Sequence, residues 1–383
     1  MLIGIDGNEA NIKNRVGVNQ YGWELLKSLH QILSKDTSKH KVIVYLKNHP
    51  IEDMPQETDF WKYRVIKGGG LWIIRKLMVD LYLNKEKPDV FFTPSHYLPP
   101  FSPIPMVCSI MDLGYLEFSA QFKKSDFWQL KYWSAWSISI SKAIISISES
   151  TKKDIVRHYP NALRKTFVTL LAFDREKFNL NIKEEDVSHI IQKYAIVNAS
   201  KEYVLFLSTL KPSKNVIGLI EAWKIVSSKH PGLKLVIAGK KGWMYEEIFS
   251  KVEELALTNT ILFTDYVDEE DKPALIAGAK LFVLPSFWEG FGLDPLNAMA
   301  CGVPVVASDV GSLPEVVGDA GILIDPYNIN SIAQGIEKII NMKDKNYQFL
   351  VKESLLQAKK FSWEKTAIET LKVLEGVLEK KYV

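Results

Sequence analysis

Leu281–Ser308, LFVLPSFWEGFGLDPLNAMACGVPVVAS, is the stretch that most narrows what this chain of 383 residues can become. Leu281–Leu284 is a short continuous apolar run ended by a proline. Such a run suits a strand buried on both faces of a parallel sheet. Ser286–Asp294 follows, with Glu289 among aromatics and two glycines, Gly290 and Gly292. Asp294-Pro295 reads as an N-cap followed by a residue pre-set for a first helical turn. A helix is therefore expected from Pro295 to Cys301, stopping at Gly302, with Val303–Ala307 as the next parallel strand. Glu289 then belongs on the loop leaving the carboxyl end of a strand, just ahead of a helix N-terminus. In open α/β sheets ligands bind there, and the unpaired N–H groups with the helix dipole favour a phosphate.

The rest of the chain repeats this alternation. Apolar runs at Leu2–Asp6, Val42–Leu46, Val65–Ile66, Asp89–Phe92, Met106–Ile110, Ala143–Ile147 and Phe167–Leu171 predict the strands of a first sheet. Between them, Tyr21, Leu25, Leu29 and Leu33 share one helical face, Trp72–Asn84 reads as a helix, and the segment Ser148-Glu149-Ser150-Thr151 caps a helix over Lys152–His158. Ala172–Glu185 is polar and charged and reads as a linker. A helix near Glu185–Tyr194 opens a second half with strands at Tyr203–Leu207, Leu233–Ala238 and Thr260–Phe263. Ser312–Asp319 and Gly321–Ile324 are expected to close that sheet. Helices at Ser331–Asn341, Tyr347–Lys360 and Phe361–Lys380 end the chain. Strands alternating with helices in each half predict two open parallel sheets, and the length allows two domains.

Composition excludes several classes. Hydrophobic residues are 47% and charged residues 24%, as in ordinary globular proteins. The long uncharged run Val90–Met111 contains Pro94, Pro99, Pro100, Pro103 and Pro105, which argues against a spanning helix. The N-terminus enters a strand directly, so no signal peptide is expected, and Cys108 and Cys301 read as buried, reduced thiols of a cytoplasmic protein. Residues 1–180 hold 25 Lys+Arg against 18 Asp+Glu (+7), and residues 181–383 hold 23 against 27 (−4). The basic half could face anionic headgroups or an anionic acceptor, or be a solvated surface with some asymmetry, which is the preferred reading; nothing in it suggests nucleic acid. Lys123–Trp136 mixes lysines with Phe127, Trp128, Tyr132, Trp133 and Trp136. It suits an interfacial helix or an amphipathic helix packed on the core, and the second reading is preferred. No Asp-x-Asp triplet and no His/Cys cluster with metal spacing occurs. Asp268–Asp271 is read as the cap and first turn of a helix ending near Ala279, not as a metal site.

Glu289–Leu293, Leu296, Ala298–Ala300, Gly302 and Pro304–Val306 resemble the signature of the family 4 retaining glycosyltransferases, EGFGLPxLEAMAxGxPVV. The stretch departs from it at Asp294, where the family has Pro, and at Asn297, where it has a second Glu. STLKPSKN at Ser208–Asn215 is similar to the family loop GTLEPRKN, with Ser213 in place of Arg. Met111-Asp112-Leu113 stands where the family often reads His-Asp-Leu. The resemblance implies a GT-B fold, two Rossmann-like parallel-sheet domains facing a cleft. Residues 1–172 would be the acceptor domain and 173–360 the nucleotide-sugar domain, with a final helix over about 361–383 packing back on the first.

It also implies function: a retaining, metal-independent transferase moving a sugar from a nucleotide-diphosphate donor to a hydroxyl of a glycan or lipid-linked acceptor. No cofactor is expected beyond that donor. Glu289 would position the donor sugar, and Lys214 with the N–H groups of Phe291, Gly292 and Leu293 would hold the leaving diphosphate. Asn297 would meet the ribose, and Tyr266-Val267 the base. Gly17 at the turn into the first helix, Thr209 and Gly239 would line the substrate. Met111 can pack on a sugar face but moves no proton, and His96 from the neighbouring loop is a candidate substitute. Asp112 joins this set, and the side chain of Asp294 is expected to cap the helix and turn away. The implied location is the cytoplasm, with peripheral contact to the inner face of the membrane through the N-terminal domain. The competing readings are a catalytically weak nucleotide-sugar binding protein, motivated by Met111 and Asn297, and an epimerase of the same fold, whose acid/base pair is not found.

Overall fold

Among the described residues every pairing between strands is parallel. The computed structural model describes residues 1–35, 40–119, 123–196, 203–242 and 244–379. The chain divides into two units, Met1–Leu171 with Ser362–Val383, and Ala172–Phe361.

The first unit holds β1 (Leu2–Asp6), β2 (Lys41–Leu46), β3 (Trp61–Val65), β4 (Val90–Thr93), β5 (Met106–Ile110), β6 (Ala143–Ser146) and β7 (Thr166–Val168). Their order is β3-β2-β1-β4-β5-β6-β7. The second unit holds β8 (Tyr203–Leu207), β9 (Lys234–Ala238), β10 (Ile261–Asp265), β11 (Leu281–Leu284), β12 (Val305–Ser308) and β13 (Ile322–Ile324), in the order β10-β9-β8-β11-β12-β13. The continuous apolar runs have a physical reason. All of YVLFL in β8 and LFVL in β11 is buried, because helices cover both faces of a parallel sheet and leave no polar side to alternate with. In both sheets the strand order reverses beside the first strand, at β1/β4 and at β8/β11. Loops leaving the carboxyl ends diverge at such switch points and leave a crevice.

The last helix, Trp363–Leu378, belongs to the first unit. Ala367, Leu371 and Leu374 are buried, Trp363 meets Tyr21 of the first helix at 6.3 Å between ring centroids, and Thr366 Oγ1 donates to the carbonyl of Leu170. Residues 380–383, the end of the expected final helix, lie outside the described residues.

Four expectations need correction. Ser312–Asp319 adds no strand; Leu313–Val317 is a short helix with Pro314 in its first turn, and β13 alone closes the edge. Asp271 takes the N-cap position of the next helix, Lys272–Ala277, as expected, but its side chain makes no cap, and Asp268–Glu270 precede the first turn instead of forming it. Asp271 instead pairs with Lys193 at 2.5 Å and accepts from Tyr194 Oη at 2.6 Å, and Asp268 lies 3.2 Å from Lys193. The helix after Glu289 runs Leu293–Ala300 with Gly292 at its N-cap, so Asp294 lies inside its first turn rather than at the cap. Finally, the helix Lys124–Ile140 does not bury its aromatic stripe. Its buried residues are Ser134, Ser137 and Ile138, while Trp128, Tyr132 and Trp136 are exposed. Phe127 and Leu130 pack toward the core instead.

Candidate active site

Glu289 and Lys214 are 75 residues apart in sequence but leave neighbouring strands, β11 and β8. Lys214 Nζ lies 2.5 Å from Glu289 Oε1, and the two side chains keep only 12% and 13% of their exposure. Ser286, fully buried at the end of β11, donates from Oγ to the same carboxylate oxygen at 2.6 Å. No protein group donates to Oε2 of Glu289 among the described residues. A carboxylate with one oxygen saturated and the other open is fixed in place and still able to accept from a ligand hydroxyl.

Local sequence explains why both groups sit here. Pro212–Lys214 forms a single 3-10 turn, and Asn215 turns the chain with φ +52° to start the helix Val216–Lys229. Asn215 caps that helix by accepting from Gly218 N, and its amide donates to the carbonyl of Pro326 at 2.7 Å. The N–H of Phe287 donates to the carbonyl of Ser213 at 2.9 Å, tying the two loops together. On the other side, Ser312 Oγ is within reach of the carbonyls of Glu289 (2.9 Å) and Phe291 (2.6 Å). Gly311 adopts φ +61°, and a Cβ there would meet the Glu289 carbonyl at 2.8 Å. Only glycine allows that approach without moving the Glu289 loop. Gly292 is held likewise, at φ +110° with Leu313 Cδ2 2.8 Å from where a Cβ would lie. Ser286, Gly311 and Ser312 escape sequence reasoning. A buried serine directly after the apolar run of β11 was the one readable signal.

Helix Leu293–Ala300 begins at this loop, and its first N–H groups lack intrahelical acceptors by construction. Phe291 is buried, Leu293 half-buried. Asp294 is half-buried, and its side chain makes no hydrogen bond among the described residues; burial pushes its pKa up to about 6, opposed by the charges of Lys272 and Lys214 and reinforced by that of Glu289. Its carboxyl does not cap the helix. One turn on, Asn297 is half-buried, and its side-chain amide has no hydrogen bond among the described residues.

The other expected residues of this unit occupy the same end of the sheet. Thr209 follows β8 and Gly239 follows β9; Ser208 N donates to Ala238 O and Gly239 N to Asp265 O. Tyr266 is half exposed and Val267 is buried just beyond β10, and their backbone groups have no backbone partner among the described residues.

In the first unit, Gly17 (φ +52°), His96, Met111 and Asp112 lie in segments following the carboxyl ends of β1, β4 and β5. Met111 O accepts from Thr151 Oγ1, and Asp112 Oδ1 from Gly114 N. Burial pushes the pKa of His96 down to about 4, so the ring is neutral near pH 7. Its Nε2 is buried without a partner among the described residues, and its ring centroid is 4.0 Å from that of Tyr97. Nearby, burial raises the carboxyl pKa of both Asp6 and Glu9. No group of three or more His, Cys, Asp and Glu side chains among the described residues is arranged to hold a metal ion. No helix among the described residues is long and apolar enough to cross a membrane.

Two Rossmann-like units with all-parallel sheets, of seven and six strands, and a phosphate-suited helix start beside a Lys–Glu pair define the GT-B class. Residues 189–354 match the family of glycosyl transferases, group 1, and the chain carries that domain, in agreement with the family 4 likeness of its signature. Over 237 residues it is 35% identical to the O-antigen chain mannosyltransferase B of Escherichia coli, covering 61% of each chain. Over 228 residues it is 31% identical to the serotype-specific mannosyltransferase WbdA of Escherichia coli, covering 59% of this chain and 28% of that protein. The chain thus spans well under the full length of these relatives. Among solved structures, the sucrose-phosphate synthase of Thermosynechococcus elongatus superposes with a TM-score of 0.74 at 19% identity, covering 99% of both chains.

Proposed function

We propose that this protein is a retaining glycosyltransferase that moves a hexosyl unit, in our reading mannosyl, from a nucleotide-diphosphate sugar to a hydroxyl of a glycan or lipid-linked acceptor. The observation that carries the reading is the Lys214–Glu289 pair at the β8/β11 switch point, beside the open first turn of Leu293–Ala300. The mannosyl assignment rests on the likeness to the two mannosyltransferases.

In this mechanism the donor separates the pair. The diphosphate takes the Lys214 ammonium and the N–H groups of Phe291–Leu293, which offset the charge that develops as the leaving group departs. A sugar hydroxyl donates to Oε2 of Glu289, which Ser286 keeps oriented through Oε1. The backbone groups of Tyr266-Val267 and the amide of Asn297 suit a base edge and a ribose diol. With lysine and helix start supplying the positive charge, the reaction needs no metal, and a chelator leaves turnover unchanged. The acceptor hydroxyl attacks on the face the diphosphate leaves, so configuration is retained.

The test is Glu289→Ala. It should lower kcat by about 100-fold or more while nucleotide-diphosphate affinity stays within about threefold of the parent. Equal loss of both in a folded variant would remove Glu289 from the sugar. A parent protein that binds nucleotide sugars tightly and turns none over would favour the binding-protein reading that Met111 and Asn297 suggest.

A further inference from the structure

The second unit holds a cavity of about 390 Å³ that the transfer reaction leaves unused. Its size lies within the roughly 300–1,000 Å³ of small-molecule sites. One wall is aromatic: Phe287 follows β11, Tyr327 follows β13, and the two rings stack with centroids 5.0 Å apart and planes 24° from parallel. Phe287 backs the Tyr327 ring from one side, and Tyr327 is still 70% exposed, so this ring fills no core. The platform is fixed in advance. Asn215 Nδ2 donates to the carbonyl of Pro326 at 2.7 Å, and Tyr327 N donates to Asp325 Oδ1 at 2.9 Å. A rigid ring loses little freedom when a ligand lies on it.

Polar groups line the same cavity. Glu221 belongs to the helix Val216–Lys229 and lies 3.7 Å from Lys251, while the exposed Glu247 opens the helix Glu246–Glu254. Lys211 is the one cation in the lining, against these two carboxylates. The cavity also adjoins the Lys214–Glu289 pair in the chain. Lys211 and Pro212 lead into the turn that carries Lys214, and Phe287 stands two residues before Glu289. The Phe287 N–H bond to the carbonyl of Ser213, 2.9 Å, joins the two segments.

We infer that this cavity is a second saccharide site, which holds a neutral stretch of glycan next to the transfer centre. The C–H face of a sugar ring carries slight positive charge and lies well on the negative face of an aromatic ring. Sugar hydroxyls both donate and accept, which suits carboxylates and a lysine around one platform. Other small ligands fit less well. A phosphate or other anion would meet Glu221 and Glu247, and like charges repel. A hydrocarbon chain would cover carboxylates without giving them a hydrogen bond. That the glycan held is the growing product rests on the proposed function; that the cavity takes a saccharide does not.

The experiment is a saturation-transfer NMR titration of the full chain with mannotriose and with maltotriose, with inorganic phosphate as competitor. Saturable binding of at least one trisaccharide is expected, and phosphate should not displace it. Tyr327→Ala, at an exposed ring, should weaken that binding by about tenfold. Glu247→Ala should weaken it by about threefold or more, and is an independent reading on a different element. Nucleotide-diphosphate affinity should stay at the parent value in both variants. No saturable binding of either trisaccharide, binding unchanged in both variants, or displacement by phosphate overturns the inference. So does a Tyr327→Ala protein that loses nucleotide-diphosphate affinity in step with saccharide affinity, since the cavity would then belong to the donor. A parent that binds trisaccharide through Tyr327 and transfers nothing upholds this site while removing the proposed function, so the two fail separately.

Discussion

Replacing Lys214 by Met is the perturbation that separates what the ion pair does for the fold from what it does for a ligand. The pair is 2.5 Å long and nearly buried. Removing one member of such a pair strands a charge, at a cost of about 3–5 kcal/mol when burial is complete. Here Ser286 still donates to the same carboxylate, and both side chains keep slight access to water. The cost of Lys214→Met should therefore fall to about 2–3 kcal/mol. Glu289→Gln alone should cost less, because the long lysine stem can carry its ammonium toward solvent. The double change Lys214→Met with Glu289→Gln removes both charges and leaves a neutral amide bonded to Ser286. Denaturant titration of the four proteins should show the double variant recovering half or more of the stability lost in Lys214→Met, a coupling of about 1–2 kcal/mol. Turnover should not follow. Lys214→Met should lower kcat about 100- to 1,000-fold, as loss of a group facing developing charge does, and the double variant should be no faster. A double variant no more stable than Lys214→Met would refute the closed pair. One that regains turnover with stability would refute a chemical role for Lys214.

Two further perturbations probe the helix start. Asn297→Glu should tighten nucleotide-diphosphate binding by about 1 kcal/mol through a charged hydrogen bond to the ribose, and Asn297→Glu with Asp294→Pro should bind at least as tightly, having lost the repulsion three residues away. Titration calorimetry against the ribo- and deoxyribonucleotide reads it, and parent-like binding of both by both variants removes residue 297 from the ribose. Asp294, with its pKa raised from 3.8 to about 6, is ionised at neutral pH against the cost of its burial. The sign follows from linkage: the folded state binds this proton more tightly, so the ionised group destabilises above pH 6 and is relieved as pH falls from about 6 toward 3.8. Asp294→Asn should therefore raise the denaturation midpoint at neutral pH, with the gain vanishing toward pH 4, and a gain that is flat with pH would place the carboxyl in water.

The strands were legible because parallel strands buried on both faces are continuous apolar runs, and Tyr203–Leu207 and Leu281–Leu284 coincide with β8 and β11. The pairing of Lys214 with Glu289 was not, since it depends on β8 and β11 being neighbours, and strand order is not a local property of sequence. Ser312–Asp319 misled because a short apolar run such as LPEVV has no period long enough to separate strand from helix. Asp294-Pro295 looked like a cap because that dipeptide suits one. Gly292 at φ +110° starts the helix earlier, with Leu313 Cδ2 2.8 Å from where a Cβ would lie. The Lys124–Ile140 helix shows the limit of amphipathic reasoning. Spacing puts Trp128, Tyr132 and Trp136 on one face, but only packing decides that small Ser134 and Ser137 face the core and let the helix approach it closely.

The most direct measurement of the central claim is anomeric. The chain should be incubated with isotope-labelled nucleotide-diphosphate sugars, mannosyl donors first, together with a saccharide acceptor, and the products followed by NMR. The account predicts release of the nucleotide diphosphate with the new glycosidic bond in the donor's own anomeric configuration, lost in Glu289→Ala. A product of inverted configuration, or tight donor binding without release of diphosphate from any donor, would contradict it.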